Sequence, residues 1–129
     1  MGDFTDRELD VMSVLWRLGS GTVAEVRADL EDVLAYTTVL TVLRTLEAKR
    51  YVRHEGEGKA HRYIPIVARD EAGTRGVRRL VDKVFEGSTE ALLTHMVSDR
   101  SLSREKLARL RELVDERLRD KSRRGRKGG

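Results

Sequence analysis

The sequence lacks several features that would define a function. It has no cysteine in 129 residues, which excludes disulfides, thiolate metal sites and cysteine nucleophiles. Pro65 is the only proline. No run of about 18 apolar residues is present, and the N-terminus has neither the basic nor the apolar region of a signal peptide. We therefore expect a cytoplasmic protein that does not insert into a membrane.

The size and composition limit the architecture. A chain of 129 residues fits one domain, or a small domain with an oligomerisation arm, and excludes a large enzyme. Its 39% hydrophobic and 37% charged residues favour a helical protein with a modest core. No nucleophile, base and orienting group recur at a recognisable spacing, and no glycine motif could cradle a phosphate. We expect neither enzymatic activity nor a cofactor.

The net charge of +4 is unevenly distributed. Residues 1–68 hold 9 Lys and Arg against 11 Asp and Glu, whereas residues 69–129 hold 17 against 11. Most of the excess lies in residues 119–129, where a Lys, Arg and Gly composition predicts a disordered basic tail. Global charge is therefore weak evidence for nucleic-acid binding, and the local pattern must decide.

Two capping boxes predict the first two helices. Thr5 and Glu8 stand at the capping spacing before an apolar stripe, and this helix should end near Leu18. Thr22 and Glu25 repeat the signal before a second, short helix.

A third helix and a hairpin complete the N-terminal pattern. Residues 37–50 carry apolar side chains at a helical spacing. From Tyr51 the period changes to two, and Gly56 and Gly58 separate two short runs that end at Pro65. Three helices followed by a hairpin are the order of a winged helix-turn-helix, so residues 1–68 are predicted to be a DNA-binding domain.

The C-terminal half predicts a helical dimerisation domain over residues 69–118. Asp70, Ser88 and Ser103 stand where they can cap three further helices. These helices are too few and too narrowly apolar to bury a separate core, so two copies are expected to pair as a homodimer. The fold class is thus mainly α with a small β-hairpin wing, a winged helix-turn-helix followed by a helical dimerisation arm. The predicted interface residues are Val77, Leu80, Val81, Val84, Leu107, Leu110 and Val114.

The outward face of the third helix is the candidate reader of double-stranded DNA. Hydroxyl side chains there could bond bases or phosphates, their methyl groups could touch thymine, and arginine could reach guanine. The alternative is an ordinary solvated face, but four threonines would be a poor choice there because β-branched residues lower helix propensity. The predicted DNA-binding residues of this helix are Tyr36, Thr37, Thr38, Thr41, Arg44 and Thr45.

The hairpin is the candidate wing. Arg53, Lys59 and Arg62 could grip phosphates beside the groove. The alternative is a polar hairpin on which Glu55 and Glu57 cancel the charge. The position directly after a recognition-type helix favours the wing.

Other functions are less well supported. His54 and His61 could lie across the hairpin, but no third ligand type is evident beyond its glutamates, so no metal is expected. A winged-helix module that binds a partner protein would suit the acidic balance of residues 1–68. A non-specific DNA-binding protein would use the basic tail instead. Gel-shift competition separates these hypotheses, because only a specific repressor gives a site that survives excess competitor.

Several motifs together resemble a known family. The run AYTTVLTVLRTL at residues 35–46, followed by Tyr51-Val52 and by AHRY at residues 60–63, is similar to the penicillinase-repressor (BlaI/MecI/CopY) family. LxxMxxLW at residues 9–16 and LVxxVFxGS at residues 80–88 also fit its pattern. The resemblance covers roughly residues 4–118.

The resemblance implies a dimeric transcriptional repressor on pseudo-palindromic operators near genes for β-lactam resistance, related stress or metal handling. In the β-lactam branch a membrane sensor with a metalloprotease domain, a possible partner here, triggers cleavage of the repressor. The copper branch uses a C-terminal cysteine cluster, which this chain lacks. The family's scissile Asn-Phe bond aligns with His95-Met96, in a segment expected to form an amphipathic helix packed through Leu93, Met96 and Val97. Because this pair departs from the family's bond, two routes of release are predicted as alternatives, cleavage here or a ligand that shifts the dimer geometry.

Overall fold

A computed structural model describes residues 4–56 and 61–127 of the chain. Within these residues, six helices and three short strands fall into two compact units, Met1–Arg79 and Leu80–Gly129. The elements, in chain order, are α1 (Asp6–Leu18), β1 (Gly21–Thr22), α2 (Val23–Asp29), α3 (Tyr36–Ala48), β2 (Val52–Glu55), β3 (Arg62–Pro65), α4 (Arg69–Val84), α5 (Thr89–Val97) and α6 (Arg104–Lys127).

The capping signals set the starts of α1 and α2, as predicted. Thr5 Oγ1 accepts the Glu8 amide at 3.1 Å, and the Glu8 carboxylate accepts the Thr5 amide at 2.7 Å. At the other end, Gly19 adopts a φ of 88°, a conformation that side-chain-bearing residues rarely take. Thr22 Oγ1 accepts the amide of Glu25 at 3.2 Å and begins α2.

The sheet contains the predicted hairpin and one further strand. β3 lies between β1 and β2, and both neighbours are antiparallel to it. Tyr63 is the central partner, opposite Gly21 on one side and His54 on the other. A Cβ at Gly21 would come within 3.0 Å of Val26, so glycine lets α2 approach this strand closely. Two residues are too few to show a period of two, which is why the sequence pattern missed β1.

The core of the first unit lies between α1, α2, α3 and the sheet. Trp16 at its edge donates its indole N–H to the carbonyl of Val67 at 2.8 Å. Ala72, near the start of α4, is buried in the same core. The first unit therefore extends to Arg79, whereas the sequence placed the boundary after residue 68. The core residues include Val11, Met12, Leu15, Val26, Val39, Leu43, Leu46, Tyr51, Val52 and Tyr63.

Serine caps begin the last two helices. Ser88 Oγ accepts the amide of Ala91 at 3.0 Å, and Ser103 Oγ accepts that of Lys106 at 3.1 Å. The expectation of a disordered tail is wrong for residues 119–127, which continue α6 to Lys127. Arg and Lys are good helix formers, and cations near a helix C-terminus are favoured by its dipole.

The second unit leaves most of its large apolar side chains exposed. Val81 and Leu92 are buried, and Leu107 is half-buried. The predicted packing of α5 through Leu93, Met96 and Val97 is not made within one protomer, where all three side chains are more than half exposed, and it stays a prediction for the dimer. None of the helices in the described part of the chain combines the length and apolar character needed to span a bilayer. The exposed apolar residues, between 39% and 62% exposed, are Leu80, Val84, Leu93, Met96, Val97, Leu110, Leu113, Val114 and Leu118.

Candidate nucleic-acid interface

Helix α3 has one buried face and one open face. Val39, Leu43 and Leu46 are fully buried against the first unit's core. Their helical spacing turns the remaining positions outward. The structure therefore brings all six predicted residues of this helix together on one exposed surface, which we call the α3 face: Tyr36, Thr37, Thr38, Thr41, Arg44 and Thr45.

Two threonine hydroxyls on the α3 face are held by the helix itself. Thr41 Oγ1 donates to the carbonyl of Thr37, and Thr45 Oγ1 donates to the carbonyl of Thr41, both at 2.9 Å. This back-bonding is typical of threonine inside a helix. Each hydroxyl keeps acceptor capacity and each side chain keeps its methyl group, so the pair can accept from a base amino group or touch a thymine methyl.

Arg44 supplies the only guanidinium on the α3 face. No carboxylate among residues 4–56 and 61–127 forms an ion pair with it. An arginine on a helix in the major groove can donate two parallel hydrogen bonds to guanine. The geometry thus combines short hydroxyl side chains with one long, forked donor.

The segment just before the N-terminus of α3 is held against α2. Arg27 Nε donates to the carbonyl of Leu34 at 2.7 Å and braces the turn between α2 and α3. Ala35 at the N-cap offers no side-chain cap, and the first turn of α3 contains no acid. Uncapped amides at a helix start are suited to an incoming phosphate oxygen.

The predicted wing cations do not share one arrangement. Arg53 pairs with Glu55 at 2.8 Å, and both side chains are more than half exposed. Arg62 instead turns towards α2, with two contacts to Glu25 at 2.7 and 3.3 Å and a third to Ser20 at 3.1 Å. Intramolecular partners thus hold Arg62, which the sequence placed among the phosphate contacts.

The third predicted wing cation, Lys59, lies outside the described residues.

A contact that the sequence did not predict joins the wing to α3. His54 Nδ1 lies 2.5 Å from Glu47 Oε2, near the end of α3. The ring of His54 stacks on that of His61, with centroids 4.4 Å apart. In the described residues no group of three or more His, Asp or Glu side chains is placed to hold a metal ion. These contacts hold the hairpin beside α3.

An ion pair between Lys49 and a buried carboxylate fixes the C-terminal end of α3. Lys49 Nζ lies 2.9 Å from the carboxylate of Glu8, which is only 4% exposed. Burial by itself would raise the pKa of Glu8, but the hydrogen bond from Thr5 and the charge of Lys49 outweigh it, so the pKa is lowered. The sequence identified Glu8 only as a capping residue. The structure shows that it also anchors the end of α3 to α1.

Comparison with known proteins agrees with this architecture. The profile of the penicillinase repressor family matches residues 4–116. The transcriptional regulator BlaI of Mycobacterium tuberculosis is 42% identical over 97 residues, covering 71% of this chain and 70% of the relative. The penicillinase repressor of Bacillus licheniformis is 24% identical over 114 residues, covering 87% and 89%. The methicillin resistance regulatory protein MecI of Mammaliicoccus sciuri is 17% identical over 117 residues, covering 89% and 95%. The family profile and the identity to BlaI, on a chain with a small three-stranded antiparallel sheet among its helices, show that it belongs to the penicillinase repressor family of winged-helix transcriptional repressors.

Proposed function

We propose that this chain represses transcription as a homodimer that binds pseudo-palindromic operator DNA, with α3 of each protomer in the major groove. The observation that carries the proposal is the α3 face, on which six DNA-compatible side chains are exposed over a fully buried apolar stripe. In this proposal Arg53 and the wing contact the flanking phosphates, and the exposure of Arg53 supports that role. The chain acts in the cytoplasm, as a regulator and not as an enzyme.

The second unit supports the homodimer. A compact unit that leaves nine large apolar side chains exposed favours a partner surface, because extensive exposed apolar surface is uncommon on monomers. A second copy would cover them across a two-fold axis. Of the predicted interface residues in this unit, Leu80, Val84, Leu110 and Val114 are exposed and available to a partner, Leu107 is half-buried, and Val81 is buried within the protomer. Val77 is also exposed but belongs to the first unit.

The homodimer makes repression switchable. When two DNA-binding domains are tethered, binding of the second domain to its half-site is intramolecular and can add roughly 10² to 10⁴ in avidity. Loosening the arm would therefore release the operator without any change to the α3 face.

The regulated genes are proposed from the relatives. Those relatives are named as a penicillinase repressor and a methicillin resistance regulator, so we place this repressor at β-lactam-response or related stress genes. The test is a gel shift on the DNA upstream of the chain's own gene. A complex that survives excess unrelated competitor supports the proposal, and binding that any competitor removes contradicts it.

Release is proposed to follow cleavage triggered by a membrane sensor metalloprotease. The aligned bond, His95-Met96, lies inside α5, so a protease must first unfold part of that helix. An immunoblot of the native host during induction tests this step. A shortened protein supports cleavage, whereas derepression with the full-length protein eliminates it in favour of a ligand that alters the dimer.

A further inference from the structure

An apolar cavity of about 470 Å³ opens in the first unit, between the N-terminal end of the described chain, α1 and the first turns of α4. Three aromatic side chains, Phe4, Trp16 and Tyr51, line it. The rings of Phe4 and Tyr51 lie 4.3 Å apart, and that of Trp16 stands edge-on at 6.3 Å from Phe4. A concave, mostly apolar space of this size falls in the range of small-molecule sites.

Two glycines lie on the α4 wall of the cavity. Gly73 and Gly76 both line it, and a Cβ added at either position would meet nothing within 4 Å. Glycine inside a helix is disfavoured relative to alanine, and the pair stands one helical turn apart on the same face. A side chain added at either position would therefore extend into open space beside the cavity.

The chemistry of the lining is cationic as well as apolar. Arg69, Arg75 and Arg79 line the cavity, and no Asp or Glu does so among the described residues. Arg75 pairs with Glu71 at 2.7 Å. The guanidinium of Arg69 lies 5.6 Å from the centre of the Trp16 ring and pairs with no carboxylate in the described part of the chain. An apolar interior under an uncompensated cation is complementary to a ligand with an apolar body and one anionic group.

We propose that this cavity binds a small amphiphilic carboxylate and that its occupancy weakens operator binding. The second part rests on the proposed function. Tyr51, on the cavity wall, directly joins α3 to the wing: its amide donates to the carbonyl of Leu46 at 3.0 Å, and its carbonyl accepts the amide of Ile66 at 2.9 Å. A ligand that moves this junction changes the position of the wing relative to α3.

The single tryptophan makes the site directly observable. Trp16 is the only tryptophan of the chain, so its indole N–H gives one unambiguous NMR resonance. Decanoate, decan-1-ol and decylammonium share one apolar body and differ in charge. We expect decanoate to shift the Trp16 resonance saturably, with a Kd at least tenfold lower than for either of the other two probes.

Three variants localise the binding. Gly76→Leu fills the cavity with a better helix former and should abolish the Trp16 titration. Arg69→Met should raise the Kd for decanoate to near that for decan-1-ol. Arg78→Met, the same substitution on α4 at a residue that does not line the cavity, should leave the Kd unchanged. Circular dichroism checks that each variant folds.

Operator binding is measured with and without decanoate. Decanoate should lower the operator affinity of the wild type several-fold and have no effect on Arg69→Met. Absence of a Trp16 titration in the wild type overturns the site, and equal titration by all three probes overturns the carboxylate class. Loss of the dimer in Gly76→Leu, with no titration in the wild type, would identify the cavity as a subunit interface. A titration without any change in operator affinity overturns the regulatory part.

The proposed function fails in a different way. If the chain shows no operator preference in the absence of any probe, the repressor proposal is wrong while the Trp16 titration still stands.

Discussion

Glu8 combines two structural roles at one position. It completes the cap of α1, and it pairs with Lys49 at the end of α3. A buried carboxylate is stabilising only while its partners hold it, because an unpaired buried charge is costly. Helix α3 is therefore held against α1 by a carboxylate whose charge depends on pH.

Glu8→Gln should destabilise the protein near neutral pH and make its free energy of unfolding less dependent on pH in the acid range. The pKa of Glu8 is lowered in the folded protein. The stabilisation that the ionised carboxylate gives to the folded state is therefore fully present above the unfolded-state pKa, near 4.5, and is lost as the pH falls through the folded-state pKa. We expect the variant to lose about 1–3 kcal/mol in the free energy of unfolding at pH 7, measured by urea titration. The difference from the wild type should shrink below pH 4.5.

Glu31→Gln is the matched control, because Glu31 is exposed and forms no ion pair with any described residue. All proteins are compared at one concentration, since the proposed dimerisation would shift their apparent stability. Equal pH dependence in both variants would contradict the role assigned to Glu8.

Sequence reasoning located the residues of the α3 face but not the internal partners of the wing residue Arg62. The apolar spacing of Val39, Leu43 and Leu46 determines which side of the helix is open, so the exposed positions followed directly. The pairing of Arg62 with Glu25 joins residues 37 apart in sequence and depends on where β3 lies against α2. Local pattern carries no information about such contacts.

At the scale of elements, the two wing arginines should behave differently on DNA. Each phosphate neutralised contributes about −0.9 to the slope of log affinity against log salt. The exposed pair of Arg53 with Glu55 is weak and can yield to a phosphate, so Arg53→Ala should make the slope shallower by about 0.9. Arg62 is held by Glu25 and Ser20, so Arg62→Ala should leave the slope nearly unchanged.

The measurement is operator affinity by fluorescence anisotropy across a salt series. A shallower slope for Arg62→Ala with no change for Arg53→Ala would reverse the assignment.

Element boundaries followed from caps more reliably than from composition. Thr5, Thr22 and Ser88 each begin a helix where their hydroxyls accept an amide, and the sequence displays that signal directly. The basic composition of residues 119–127 indicated disorder, whereas they form the last turns of α6. Once a helix is established, adding residues with good propensity requires no new nucleus, and composition alone misses that continuity.

At the scale of the whole molecule, the exposed apolar residues of the second unit make dimerisation testable. Leu110→Asp should convert the protein to monomer at micromolar concentration, because a carboxylate would be buried without a partner in the proposed interface. Sedimentation velocity measures the change. Arg111→Asp places the same charge on the neighbouring residue of α6 and should remain dimeric. A Leu110→Asp protein that is still dimeric would place the interface elsewhere.

The central claim is that the α3 face reads DNA sequence, and selection from a randomised duplex library tests it most directly. The wild type should enrich a two-fold symmetric site. The Thr38→Ala, Arg44→Ala double variant should bind that site more weakly, because loss of a good base contact costs roughly 1–3 kcal/mol of binding free energy, about 5- to 150-fold in Kd. It should also lose sequence preference at the contacted positions. Thr74→Ala, Arg78→Ala on α4 is the matched control. An unchanged preference and affinity in the α3 variant would contradict the account.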